Sequence, residues 1–117
     1  MSYMLLISEP RGQRLERGVE EGKKVYGQMA RFAGSLKERG LLLGVESLAS
    51  DATAARVKVR EGRQQLLDGP FAEAKEMIGG FFVIDCASRE EAIAIAAECP
   101  AAQWASIEVR KVGPCWE

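Results

Sequence analysis

Two stretches of the chain are almost unbroken apolar runs: YMLLI, Tyr3–Ile7, and MIGGFFVIDC, Met77–Cys86. Short continuous runs of this kind predict strands buried on both faces in the middle of a sheet. Each run is followed by a helical pattern, so the sheet must lie against helices. After the first, Val25, Met29, Phe32 and Leu36 recur at three- and four-residue steps. That spacing predicts a helix from about Val19 to Arg39, stopped by Gly40, with these residues on one face and Met29, Phe32 and Leu36 in the core. The intervening SEPRGQRLERG, Ser8–Gly18, is polar and broken by Pro10 and Gly12, and reads as a loop. After the second run, Ser88 and Glu91 form an S-x-x-E capping box. Ala92, Ile93, Ala96 and Ala97 then give a small-residue face, and Pro100 ends the helix.

The remaining segments read as strands. LLLGVESL, Leu41–Leu48, predicts a short strand running into a loop at Ala49–Thr53. In ARVKVREGRQQLLDG, Ala55, Val57 and Val59 alternate with Arg56, Lys58 and Arg60. The alternation predicts a hairpin arm with one buried and one wet face, a turn at Glu61-Gly62-Arg63, and Gln65 and Leu67 opposite the first arm. Gly79-Gly80 marks a bulge or a close backbone approach in the second apolar run. WASIEVRKV closes the chain as a strand with Ala105, Ile107 and Val109 on one face. The order β–α–β–hairpin–β–α–β in 117 residues predicts one domain. Its class is α+β, a ferredoxin-like split β-α-β sandwich with an extra hairpin, the two apolar strands at the centre. Two helices cover one sheet face, and a second copy of the chain is the simplest cover for the other, so a homodimer is expected.

Composition excludes several function classes. A formal net charge of −1 gives no long-range field, so neither nucleic acid nor an anionic membrane is expected as a partner. The basic stripe Arg56, Lys58 and Arg60 reads as a solvated face. No histidine occurs, which removes the usual general base and the commonest metal ligand. Cys86, Cys99 and Cys115 form no CxxC, so reduced thiols in a cytoplasm are expected, with Cys86 buried and inert. The first residues, MSYMLLISEPRG, carry neither a membrane span nor a signal peptide pattern. No phosphate-binding glycine loop, metal cluster or nucleophilic triad is present, so neither cofactor nor metal is expected. Trp104 and Trp116 are open to two readings, a pocket wall or a dimer interface.

One segment has the character of a site. In DGPFAEAKE, Asp68-Gly69-Pro70 is a stiff turn, Phe71 an apolar anchor, and Glu73, Lys75 and Glu76 a charged cluster at one end of the sheet. The same features suit a plain solvated turn. The longer stretch DGPFAEAKEMIGGFFVID resembles the signature of the DGPF family within the YCII-related superfamily. YMLLI, RGLLLGVESL, TAARVKVREG, the CPAA at Cys99–Ala102 and IEVRKV resemble the family's pattern in the same order, across almost the whole chain. The resemblance implies a ferredoxin-like fold pairing as a dimeric α/β barrel, with a site in a cleft beside the sheet. Residue by residue it points to Asp68, Gly69, Pro70, Phe71, Glu73, Lys75, Gly79 and Gly80. It also implies a bacterial protein. Some relatives act as enzymes on small molecules, and others are encoded beside extracytoplasmic-function sigma factors. The His–Asp pair associated with YCII proteins proper has no counterpart in a chain without histidine.

Two functions follow as expectations. In the first, a small-molecule enzyme, Asp68 is the acid or base in a cleft under Phe71. Lys75 holds an anionic group, and Glu73 orients Lys75 or serves as the second acid–base group. Gly69, Pro70, Phe71, Gly79 and Gly80 line the ligand, and the reaction is an elimination or proton abstraction. In the second, a non-catalytic ligand-binding or regulatory module, the same charges form a network that fixes the turn.

Overall fold

A computed structural model describes residues 1–117. The elements run β1 (Ser2–Pro10), α1 (Gln13–Glu38), β2 (Leu42–Ser47), a 3-10 turn (Asp51–Thr53), β3 (Ala55–Arg60), β4 (Arg63–Asp68), β5 (Glu76–Asp85), α2 (Arg89–Glu98), a second 3-10 turn (Pro100–Gln103) and β6 (Ser106–Lys111). The main sheet has the order β2-β5-β1-β6, every neighbouring pair antiparallel. The two apolar runs are its central strands, as a ferredoxin-like α+β fold requires. No helix is long and apolar enough to cross a membrane.

The apolar runs predict burial on both faces, but within one chain only one face is covered. Along β1, Tyr3, Leu5, Ile7 and Glu9 are buried while Met4, Leu6 and Ser8 are half-buried. Along β5, Phe82 and Ile84 are buried, and Phe81 and Val83 are half-buried. The buried set packs with Phe32 and Leu36 of α1 and with Ala92, Ile95 and Ala96 of α2. Phe32 meets Phe82 edge to face, with ring centroids 5.3 Å apart. On α2 the packed face is Ala92, Ile95, Ala96 and the following Cys99, whereas Ile93 is exposed, as is Ala97. Steps of three and four from Ala92 reach 95, 96 and 99. Ile93 and Ala97 lie about 100° around the wheel from Ala92 and Ala96.

Helix α1 starts earlier than the sequence predicts. The segment Ser8–Gly18 is not a loop: β1 continues to Pro10, Gly12 turns the chain at φ 88°, and Gln13 opens the helix. Gly18, at φ 79° and ψ 168°, breaks the helical path, so Val19 begins its second part. At α2, the Glu91 N–H donates to Ser88 Oγ (3.1 Å). The Glu91 carboxylate accepts from the N–H of Ala87, closing the box one residue before Ser88.

Hairpin β3–β4 forms a sheet of its own. Lys58 pairs with Gln65 and Arg56 with Leu67. The turn is Glu61-Gly62, both at positive φ, the two-residue connection whose twist matches hairpin strands, and Arg63 already belongs to β4. The expected buried face does not exist in the single chain, because every residue of both strands is exposed. Alternation sorts side chains between two faces, but the chain covers neither one enough to bury any residue of the hairpin. The molecule measures 46 × 41 × 19 Å, and its radius of gyration is 16.0 Å. A compact chain of this length has about 13 Å.

Candidate functional site

The DGPF segment is held by residues far away in sequence. Arg11 donates from Nη1 and Nη2 to the two carboxylate oxygens of Asp51, at 2.9 and 2.6 Å. Its Nε donates to the carbonyl of Ala74 (2.8 Å), and its backbone N–H to that of Lys75 (3.0 Å). The Phe71 N–H donates to Asp51 Oδ2. The Arg11 guanidinium holds the Asp51 carboxyl below the usual carboxylate range, against the opposing effect of burial, with help from the Phe71 N–H. Asp51 in turn raises the Arg11 guanidinium. Gly69, joined to Pro70 by a cis peptide bond, donates its N–H to the Ala54 carbonyl. A Cβ at Gly69 would run into the Asp51 carbonyl oxygen, so the turn needs glycine for close approach.

Within this clasp, Phe71 is buried and the Arg56 guanidinium lies over its ring, 3.8 Å from the centroid. Arg56 also donates to Glu73 (2.9 Å). The Glu73 carboxyl is held low first by its own backbone N–H and then by Arg56. Glu73 therefore pairs with Arg56 rather than orienting Lys75. Asp68 is exposed at the end of β4 and makes no hydrogen bond or ion pair through its side chain. Lys75 is exposed, and its backbone carbonyl rather than its amine holds the loop. Within the chain, no hydrogen bond or ion pair joins Asp68, Glu73 and Lys75.

An open cleft lies elsewhere. A cleft of about 720 Å³ opens between the first half of α1 and the sheet. Val25, Tyr26 and Met29 of α1 face Ile7 and Phe82 of the sheet across it. At one end stands a charged pair. Glu9, only 7% exposed, accepts from Arg14 Nε (2.9 Å) and Nη2 (2.7 Å). Register explains the buried carboxylate: Glu9 follows Tyr3, Leu5 and Ile7 on the inner face of β1. The sheet makes room for it at a bulge, where Ile7 pairs with Gly80 and Ser8 with Ile78, leaving Gly79 unpaired. A Cβ at Gly79 would fall on the Glu9 carboxylate, and one at Gly80 would come within 2.8 Å of the Glu46 carbonyl oxygen.

Also in the lining, the Arg17 guanidinium lies 5.6 Å from the centre of the Trp104 ring, a cation–π contact. Arg17 Nη2 donates to Gln13 Oε1 (3.0 Å), and Gln13 Nε2 to the Trp104 carbonyl (2.7 Å). Gly79 and Gly80 line the cleft together with Trp104, whereas Gly69, Pro70 and Phe71 do not, and Trp116 is exposed. Sequence reasoning missed Glu9, Arg11, Arg14, Arg17 and Asp51. The signal for Glu9 was present, since a carboxylate in phase with Tyr3, Leu5 and Ile7 must face the core or a cavity. Cys86 and Cys99 are buried, and burial pushes both thiols up, while Cys115 is exposed.

A family model for the YCII-related domain matches residues 1–115. An uncharacterised protein of Rhizobium meliloti (strain 1021) is 38% identical over 74 residues, which is 63% of this chain and 60% of that protein. The aligned region thus spans less than two thirds of that relative's length. With the ferredoxin-like strand order and a family match over nearly the full length, the chain belongs to the YCII-related family.

Proposed function

We propose that this protein is a homodimeric module that binds a small molecule in the cleft between α1 and the sheet. The observation that carries this reading is the Glu9–Arg14 pair at the end of an apolar cleft of about 720 Å³. Small-molecule sites have this volume and this makeup, apolar walls with a few oriented polar groups. A buried ion pair adds little to stability compared with apolar packing, so its position beside an open cavity favours a binding role. The DGPF turn takes the structural part: Arg11, Asp51 and Arg56 brace it from outside. An acid–base role for Asp68 has weaker support, because that carboxylate is exposed and lies away from the cleft. A role beside a sigma factor rests on the family resemblance alone. Dimerisation through the open sheet face is supported by the apolar half-buried Met4, Leu6, Phe81 and Val83.

A thermal-shift screen against a metabolite and aromatic-acid library tests the cleft. Gly22 lines it, and a Cβ there meets nothing within 4 Å, so Gly22→Phe is the variant chosen to place a bulky side chain in the cleft. Compounds that raise the melting temperature of the wild type should lose that effect in Gly22→Phe and keep it in Asp68→Asn. The reverse pattern contradicts the proposal and returns the site to the DGPF turn.

A further inference from the structure

Two arginines line the cleft, and their charges are committed differently. Arg14 is matched by Glu9 in a two-bond pair. Arg17 has no carboxylate within ion-pair distance, and its side-chain partners are neutral: the Gln13 amide oxygen and the Trp104 ring. Glu46, the other acidic residue of the lining, sits opposite Phe81 in register. Its side chain therefore belongs to the sheet face away from α1. The inner cleft carries one uncompensated positive charge against apolar walls.

We propose that the ligand is a small organic anion with an apolar body and one carboxylate, and that Arg17 receives the carboxylate. This rests on the reading of the cleft as the binding site. A planar guanidinium already ordered by Gln13 and Trp104 can offer its remaining N–H groups to a carboxylate with little further loss of freedom. A single cation suits a single negative charge. A phosphate would bring more charge than Arg17 can match, and an uncompensated charge against apolar walls is costly. The body of the ligand lies along Tyr26, Met29 and Phe82.

Calorimetric titration with naphthalene-2-carboxylate and with its neutral counterpart 2-naphthylmethanol tests the inference on the wild type, Arg17→Gln and Arg17→Lys. The wild type should bind the carboxylate about tenfold or more tighter than the alcohol, as a charge-assisted hydrogen bond predicts. Arg17→Gln should reduce carboxylate affinity to the level of the alcohol and leave the alcohol unchanged, and Arg17→Lys should restore part of the preference. Equal affinity for both compounds, or a preference that survives Arg17→Gln, overturns the anion inference while the cleft remains a binding site. If neither compound binds the wild type, the cleft reading fails and the anion inference fails with it.

Discussion

Single residues decide whether the two polar assemblies form. Gly79 is one case, since a Cβ there meets both the Glu9 carboxylate and the Arg14 guanidinium. Gly79→Ala should destabilise the fold by about 1–3 kcal/mol, the usual cost of overpacking. Gly34, in α1 with open space around its Cβ position, is the control: Gly34→Ala should stabilise by about 0.5–1 kcal/mol. Denaturant melts of the two variants check both signs. At the other assembly, Asp51 is ionised against Arg11, and its folded carboxyl lies below the ordinary 3.8. A depressed carboxylate contributes stability above its unfolded value, and the contribution is lost as pH falls through the folded value. Asp51→Asn should therefore melt lower than the wild type at neutral pH, and the gap should close as pH falls below the ordinary carboxylate value. A gap that stays constant into strong acid contradicts the clasp.

At the scale of elements, the hairpin and α1 separate what periodicity reveals from what it hides. Alternation in Ala55–Arg60 located the strand and its partner, and the Glu61-Gly62 turn followed from local chemistry. It could not say that nothing would cover the sorted face, because burial depends on elements distant in sequence. Asp68 shows the consequence. A signature read along the chain makes it look central, yet it stands exposed at the end of β4. Asp68→Asn should change stability by less than about 0.5 kcal/mol, as for other exposed positions, whereas Asp51→Asn should show a clear loss. Comparing the two thermal melts at neutral pH decides between them. In α1 the three- and four-residue spacing found Phe32 and Leu36, which are buried, and Val25 and Met29, which line the cleft. Apolar spacing marks the face towards the sheet without distinguishing contact from an open gap. The first part of α1 was hidden because Pro10 and Gly12 look like loop residues, although Pro10 ends β1 and Gly12 turns the chain directly into the helix.

At the scale of the molecule, one apolar sheet face is left half covered. The far side of the central strands presents Met4, Leu6, Phe81 and Val83, with Glu46, Glu108 and Arg110 towards the edges by register. The molecule is 19 Å thick, and an apolar face of this kind is where a second copy would pack if the proposed dimer forms. Sedimentation should give twice the monomer mass of 12.8 kDa, and Leu6→Glu should shift the protein towards monomer by placing a charge in the centre of that face. A monomer at micromolar concentration would remove the dimer from the account and leave the cleft, which one chain forms by itself. The cleft is the central claim, and the most direct measurement of it is a two-dimensional amide NMR titration of the wild type with naphthalene-2-carboxylate. Binding in the cleft should shift the amides of Gly22, Met29, Gly79 and Gly80 and the Trp104 indole, and leave Gly69, Phe71 and Lys75 unmoved. Shifts centred on Gly69–Lys75, or none at all, would contradict it.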